Sequence, residues 1–111
     1  MTPNEFQKDC LRTVPTYLYR NEELMMALMG LCGEAGECID LHKKVVYHNH
    51  PYDAERLAGE LSDVAWYLAV CAHAAGYTLE DIFKINVEKR LKRYPDGWEP
   101  ERSLNRDAGD V

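Results

Sequence analysis

The sequence has no excess of positive charge. Lysine and arginine total 13 against 19 aspartates and glutamates, which gives a formal net charge of −6. Because nucleic-acid polymers are held by basic surfaces that neutralise their phosphates, we expect no such partner. A small phosphate-bearing ligand is still compatible with this charge, provided that a metal ion or a local basic cluster mediates the contact.

The sequence also lacks membrane and targeting segments. No uninterrupted apolar run approaches the roughly 18 residues of a membrane span. The first ten residues, MTPNEFQKDC, show no basic region followed by an apolar run, as a signal peptide would. Cysteine is sparse, without a CxxC pair or a zinc-type spacing: Cys10, Cys32, Cys38 and Cys71. We therefore expect buried, reduced thiols, no membrane association and a cytoplasmic location.

No segment alternates polar and apolar residues as a half-buried strand does, whereas helical spacing runs through most of the chain. Start and stop signals predict four helices: one from the Thr2 cap to about Val14, one capped by Asn21, one capped by Asp53 and ended by Gly76, and one capped by Thr78. The segment YPDGW predicts a turn.

These signals predict an all-α, four-helix bundle-like fold over residues 1–98. The polar residues 99–111 predict a flexible tail. The second and third helices carry apolar residues on more than one face. A lone bundle would leave apolar surface uncovered, so we expect a homo-oligomer.

Two pairs of acids lie within the apolar helices. Glu34 and Glu37 are three residues apart in the second helix, and a step of about 300° keeps both on one face. Glu60 and Asp63 repeat this spacing in the third helix. If the two helices pack antiparallel, the pairs face each other. Like charges about 5 Å apart repel by about 3 kcal/mol at an effective dielectric near 20, so protons or metal ions must relieve them.

A cluster made only of carboxylates favours Mg²⁺, with Mn²⁺ as a possible substitute, and Mg²⁺ commonly takes substrate phosphates as further ligands. Such pairs are nevertheless common on solvated helix faces. A non-catalytic helical module that oligomerises through its apolar faces is therefore the alternative interpretation. A different metal–carboxylate enzyme is a third. The lack of Glu-x-x-His argues against a ferritin-like di-iron site, and the four histidines are not expected to be ligands.

The order of these motifs resembles the MazG-like, all-α nucleoside triphosphate pyrophosphohydrolases. Glu-Ala-Gly-Glu at 34–37 and Glu-Leu-Ser-Asp at 60–63 are separated by the 22 residues 38–59, and NVEKRLKRYPDGW follows at 86–98. The resemblance implies a MazG-type fold, hydrolysis of a nucleoside triphosphate between its α and β phosphorus atoms, and release of pyrophosphate. It also implies that the four acids hold Mg²⁺ and help to activate water. Relatives form dimers or tetramers.

Five further residues are candidates for substrate binding: Asn86, Lys89, Arg93, Lys43 and Trp66. The first three share a face of the fourth helix. With the family pattern, Lys89 and Arg93 are interpreted as phosphate contacts and Asn86 as a sugar or phosphate contact. A solvated helix end is the alternative for these residues and for Lys43. Trp66 can stack on a base, although core packing or a subunit contact is the favoured interpretation.

Overall fold

The computed structural model describes residues 1–110 of the chain. Five helices follow one another: α1 (Pro3–Leu11), α2 (Arg20–Tyr47), α3 (Ala54–Ala74), α4 (Leu79–Arg93) and α5 (Pro100–Leu104). No strand occurs among these residues, so the all-α prediction is confirmed. The five-residue α5 is additional to the four predicted helices, and it lies in the segment that was expected to be a flexible tail.

The helices divide between two compact units. The first unit is Met1–Leu79, in which α3 packs against both α1 and α2. The second unit begins at Glu80 and includes α5 and nearly all of α4. No helix in the described part of the chain is both long and apolar enough to cross a bilayer.

The start of α1 follows its sequence signals. Thr2 Oγ1 accepts a hydrogen bond from the Glu5 N–H at 3.1 Å, and a Glu5 carboxylate oxygen accepts one from the Thr2 N–H at 3.0 Å. This reciprocal capping box satisfies backbone donors that a helix start leaves open. The helix ends at Leu11 rather than near Val14, and the N–H groups of the next residues continue as a turn, with Thr13 bonding to the Cys10 carbonyl at 3.1 Å.

The start of α2 differs from its prediction. Its N-cap is Tyr19, two residues before the expected Asn21. Glu22 explains the shift, since its carboxylate accepts a hydrogen bond from the Tyr19 N–H at 3.2 Å. An acid at the third helical position can therefore fix a helix start even where the cap residue offers no short acceptor side chain.

Both ends of α3 agree with their predictions. Asp53 Oδ1 accepts hydrogen bonds at 3.0 and 3.2 Å from the N–H groups two and three residues further on. At the other end Gly76 has a φ of 89°, which glycine adopts without steric cost. The Tyr77 N–H closes this end on the Ala72 carbonyl at 2.8 Å. Such a left-handed termination satisfies carbonyls that the helix leaves open.

The hydrophobic core of the first unit lies around the carboxyl-terminal half of α3. Its buried members come from α1, α2 and α3 and from the first residue of α4: Cys10, Ala27, Ala69, Val70, Cys71 and Leu79. The amino-terminal half of α3 contributes no fully buried residue. One end of the α2–α3 pair is therefore anchored, and the other remains accessible to solvent.

Gln7 connects α1 to this core and is only 6% exposed. Its amide nitrogen donates to the carbonyls of Ala69 and Tyr77, both at 3.1 Å, and its amide oxygen accepts from the Leu79 N–H at 3.1 Å. A buried amide must be hydrogen-bonded to be tolerated, so these three bonds specify how α1 sits on the end of α3.

The cysteines are all free, and only part of the burial prediction holds. Cys10 and Cys71 are buried, and burial raises the pKa of both thiols, with the charge of Asp9 adding to the rise at Cys10. Cys32, however, is exposed. Apolar neighbours in the sequence did not identify the side of α2 on which this thiol lies.

At Gly30 the backbone of α2 lies directly against α3. A Cβ atom built on Gly30 would overlap the edge of the Tyr67 ring at its Cε1, Cζ and Cδ1 atoms, far within van der Waals contact. Only hydrogen therefore fits between the α2 backbone and this ring, and the residue type at position 30 sets the separation of the two helices. Gly33, one turn away, has no neighbour within 4 Å of its Cβ position.

We expect Gly30→Ala to destabilise the fold by about 1–3 kcal/mol, because the new methyl group must displace a packed ring or move the helices apart. Chemical unfolding followed by circular dichroism measures the loss. Gly33→Ala is the matched control, and we expect it to stabilise by about 0.5–1 kcal/mol, since it meets open space in a helix interior. Equal effects from the two variants would contradict this account.

Candidate functional site

The α2–α3 pair brings three of the predicted acids together. Glu34 lies one turn beyond Gly30 on α2, and Asp63 lies one turn before Tyr67 on α3. One carboxylate oxygen from each of Glu34, Glu60 and Asp63 falls within 4.8 Å of the other two. Because residue numbers rise along α2 as they fall along α3, the helices are antiparallel, as predicted.

Electrostatics in this group act most strongly on Glu34. Partial desolvation raises the pKa of its carboxyl group, and a hydrogen bond with the Glu60 carboxyl raises it further. The charges of Asp63, Glu60 and Glu37 act in the same direction. All of these causes disfavour the charged form of Glu34, and a cation bound at the cluster would act in the opposite direction.

Glu37 occupies a different position from the other three acids. It is exposed, and its oxygens lie outside the group formed by Glu34, Glu60 and Asp63. Its charge still raises the pKa of Glu34, so it remains within electrostatic reach. The predicted set of four is therefore seen as three converging acids with a fourth beside them.

Lys43 forms an ion pair with Asp40 and not with the clustered acids. Its ammonium group contacts Asp40 Oδ1 at 2.9 Å, and Lys44 contacts Asp40 Oδ2 at 2.8 Å. Hydrogen bonds from Lys44 and then Lys43 lower the pKa of Asp40 to about 2. The structure thus shows Lys43 in an ion pair on its own helix, as in the solvated-end alternative.

Trp66 packs against other side chains of the first unit. Its indole N–H donates to Thr13 Oγ1 at 3.0 Å, and its ring meets that of Tyr67 edge-on, with centroids 4.9 Å apart. It is half-buried and packs against the core cluster. These contacts match the favoured interpretation of core packing rather than base stacking.

The other three candidates belong to α4. Asn86 Oδ1 accepts a hydrogen bond from Arg90 Nε at 2.7 Å. Lys89 is half-buried. Arg93 Nε contacts both carboxylate oxygens of Asp110 at 2.7 and 2.8 Å. Two of the three polar groups are therefore already engaged within the second unit.

A comparison with protein-family models matches residues 21–98 to the MazG nucleotide pyrophosphohydrolase domain. The chain belongs to this family. Neither the search of curated proteins nor the search of solved structures returned a match. The matched range contains both acidic motifs and α4, and membership in the MazG family supports a hydrolase that acts on nucleotides. A divalent metal is general in the family, and the three converging acids are the candidate cluster for it.

Sequence reasoning missed two features of this MazG chain. The contact at Gly30 gave no distinct signal, since a glycine within a helix also occurs for other reasons. The pairing of Arg93 with Asp110 joins α4 to a segment expected to be flexible, and a salt bridge across 17 residues has no sequence signature. Both depend on which surfaces meet after folding.

The raised pKa of Glu34 predicts a stability that falls with rising pH. The folded state retains this proton to higher pH than the unfolded chain does, so unfolding in a chelator should become easier as pH rises from the unfolded pKa through the folded pKa. Glu34→Gln should remove that part of the pH dependence. Thermal unfolding between about pH 4 and 7 measures it.

Asp40→Asn is the control for this series. The pKa of Asp40 is lowered rather than raised, so its effect on stability runs in the opposite direction. Its contribution is lost only as pH falls from 3.8 towards about 2. Asp40→Asn should therefore leave the pH dependence above about pH 4 unchanged. A slope that survives in Glu34→Gln would contradict the assignment.

Proposed function

We propose that the chain is a Mg²⁺-dependent nucleoside triphosphate pyrophosphohydrolase, which converts a (d)NTP into the (d)NMP and pyrophosphate. The observation that carries the proposal is the convergence of Glu34, Glu60 and Asp63 within 4.8 Å in a chain of the MazG family. Such an enzyme removes selected or aberrant nucleotides from the pool.

The donor set fits a hard divalent cation. All three groups offer carboxylate oxygens, the ligands that Mg²⁺ and Mn²⁺ prefer, and no sulfur or imidazole belongs to the cluster. The cation would offset the repulsion among these acids, which contributes to the raised pKa of Glu34. When bound, it would neutralise charge on the polyphosphate and acidify water at the site.

We assign the protein's own proton transfer to Glu37. With three acids occupied in holding the cation, the exposed Glu37 carboxylate one turn away is available to accept the proton of the attacking water. The water oxygen forms the new bond to the α phosphorus as the bond to the bridging oxygen breaks. The electron pair leaves with pyrophosphate, and the proton remains on Glu37.

The α4 residues are proposed to contact the substrate. Lys89 forms no ion pair with any described residue, so its ammonium group is available to a phosphate oxygen. Asn86 would exchange its bond to Arg90 for one to sugar or phosphate. Arg93 would have to leave Asp110 before it could serve as a bidentate contact.

Activity measurements should distinguish the acids proposed to hold the metal ion from the acid proposed to accept a proton. With Mg²⁺ and the eight common NTPs and dNTPs, we expect the wild type to release pyrophosphate and not orthophosphate. Glu60→Gln and Asp63→Asn should lower activity by at least roughly 10–100-fold and weaken metal binding, because even outer-shell partners of a metal cause losses of that size. Glu37→Gln should lower kcat while metal affinity is largely retained.

The matched control is again Asp40→Asn, which removes a carboxylate from α2 outside the cluster and should leave activity nearly unchanged. Without turnover on any nucleotide, and with no thermal shift on adding Mg²⁺, the non-catalytic helical module would replace this proposal. Release of single phosphates would instead indicate a different metal–carboxylate enzyme.

Homo-oligomerisation is proposed from an exposed stripe along α2. Met25, Met29, Ile39 and Val46 are 60%, 68%, 65% and 54% exposed. They belong to a series with alternating steps of four and three, the spacing of a helix–helix seam, which also includes Cys32, Gly36 and the charged Lys43. Four large apolar side chains exposed along one such series are typical of an interface between subunits.

The oligomer should dissociate when a charge enters the middle of this stripe. We expect light scattering after gel filtration to give a dimer or tetramer for the wild type and a smaller species for Ile39→Glu. Leu104→Glu is the control, because Leu104 is 84% exposed on α5 and lies outside the stripe. A wild-type monomer, or an unchanged mass for Ile39→Glu, would refute this interface.

A further inference from the structure

A cavity of the first unit lies beside the loop that joins α2 to α3. Residues of both helices and of the loop line it, and its volume is about 90 Å³. An apolar cavity of about 150 Å³ holds a benzene molecule. The smaller space beside this loop therefore encloses part of a single six-membered ring and has no room for a fused pair of rings.

The cavity continues the seam between the helices that holds the acids. Leu41, on its wall, lies seven residues after Glu34 on α2, and Arg56 lies seven residues before Asp63 on α3. Seven residues of an α-helix fall only about 20° short of two full turns, so each lining residue shares a helix face with its acid. Two turns span about 10 Å. The cavity and the carboxylate cluster therefore lie on the same side of the helix pair, about two turns apart.

Backbone hydrogen bonds fix the loop that closes the cavity. The His50 N–H donates to the Lys44 carbonyl at 3.1 Å. Between them Asn49 has a φ of 57°, which asparagine adopts more readily than most residues. At the other end of the loop, Asp53 Oδ1 accepts hydrogen bonds from two N–H groups of α3. The cavity is thus formed before a ligand arrives, which lowers the cost of ordering on binding.

The wall of the cavity suits a flat ring. Leu41, Val45 and Leu57 are half-buried and supply its apolar part. The imidazole groups of His42 and His50 are exposed at its edge. Apolar side chains with a few polar groups at the margin are the usual lining of a small-molecule pocket.

Arg56 gives the cavity a hydrogen-bond donor that carries a fixed charge. Its guanidinium group offers donors and no acceptor, so it selects a ring with an acceptor on its edge. Asp53, the acid of the lining, caps α3 and forms no ion pair with Arg56. A carbonyl oxygen of a heterocycle is the acceptor that fits beside Arg56.

We propose, on the basis of the proposed function, that this cavity receives the base of the nucleotide substrate and favours pyrimidine over purine triphosphates. The polyphosphate would lie at the carboxylate cluster, and the sugar would span the distance to the cavity. The single ring of a pyrimidine packs on the apolar wall. Arg56 donates to the carbonyl oxygen at C2, which cytosine, uracil and thymine share.

NMR of the imidazole groups in the full chain tests this assignment. Cytidine, uridine, adenosine and inosine are titrated in EDTA, so that neither a metal ion nor a phosphate contributes. We expect cytidine and uridine to shift the signals of His42 and His50 and to leave that of His73, near the other end of α3, unchanged. Purine nucleosides should bind at least roughly fivefold more weakly, because their second ring overfills the cavity.

Two variants locate the binding. Arg56→Gln should weaken cytidine binding roughly tenfold, because it removes a charged hydrogen-bond donor. Arg12→Gln is the matched control, since it removes the same group from an exposed position after α1, outside the cavity. Leu57→Trp fills the cavity and should abolish the shifts with every nucleoside, and circular dichroism verifies the fold of each variant.

A lack of shifts at His42 and His50, or equal affinities for Arg56→Gln and Arg12→Gln, would overturn the site. Equal binding of purine and pyrimidine nucleosides would overturn the preference. The activity is measured separately. Nucleoside binding at the cavity in a chain without turnover would retain the base site and refute the proposed activity. Turnover with equal kcat/KM for pyrimidine and purine triphosphates, unchanged in Arg56→Gln, would refute the base site alone.

Discussion

The contact between Gly30 and the ring of Tyr67 is the constraint on which the candidate site depends. It brings the α2 backbone against an aromatic side chain of α3 and thereby sets how closely the two helices approach. Glu34 and Asp63 each lie one turn from this contact, on opposite helices. Their carboxylates converge because the backbones converge, and a wider helix pair would hold the same acids too far apart to share one cation.

Repulsion makes this convergence of acids unfavourable in the absence of a cation. The hydrophobic core compensates for it from a different part of the same helices. Buried residues and the hydrogen bonds of Gln7 fix the carboxyl-terminal half of α3, whereas the acids lie on its more exposed half. Repulsion between acids is thus met by packing further along the same two helices. Such an arrangement keeps the three acids accessible to solvent without loss of the fold.

The two units place their charged groups differently. In the first unit three acids converge, whereas in the second unit the guanidinium group of Arg93 is ion-paired with Asp110. Arg93, interpreted from the sequence as a phosphate contact, therefore has a partner within its own unit.

The sequence by itself determined the helical class, the ends of α3 and the pairing of acids on α2 and α3. Each of these depends on side-chain-to-backbone bonds or helical spacing over a few residues, as at Asp53 and Gly76. Only the tertiary structure decided that Glu37 stands outside the cluster and that Arg93 meets Asp110. Those outcomes depend on how closely surfaces approach and which groups meet across long stretches of chain, and local spacing carries no information about either.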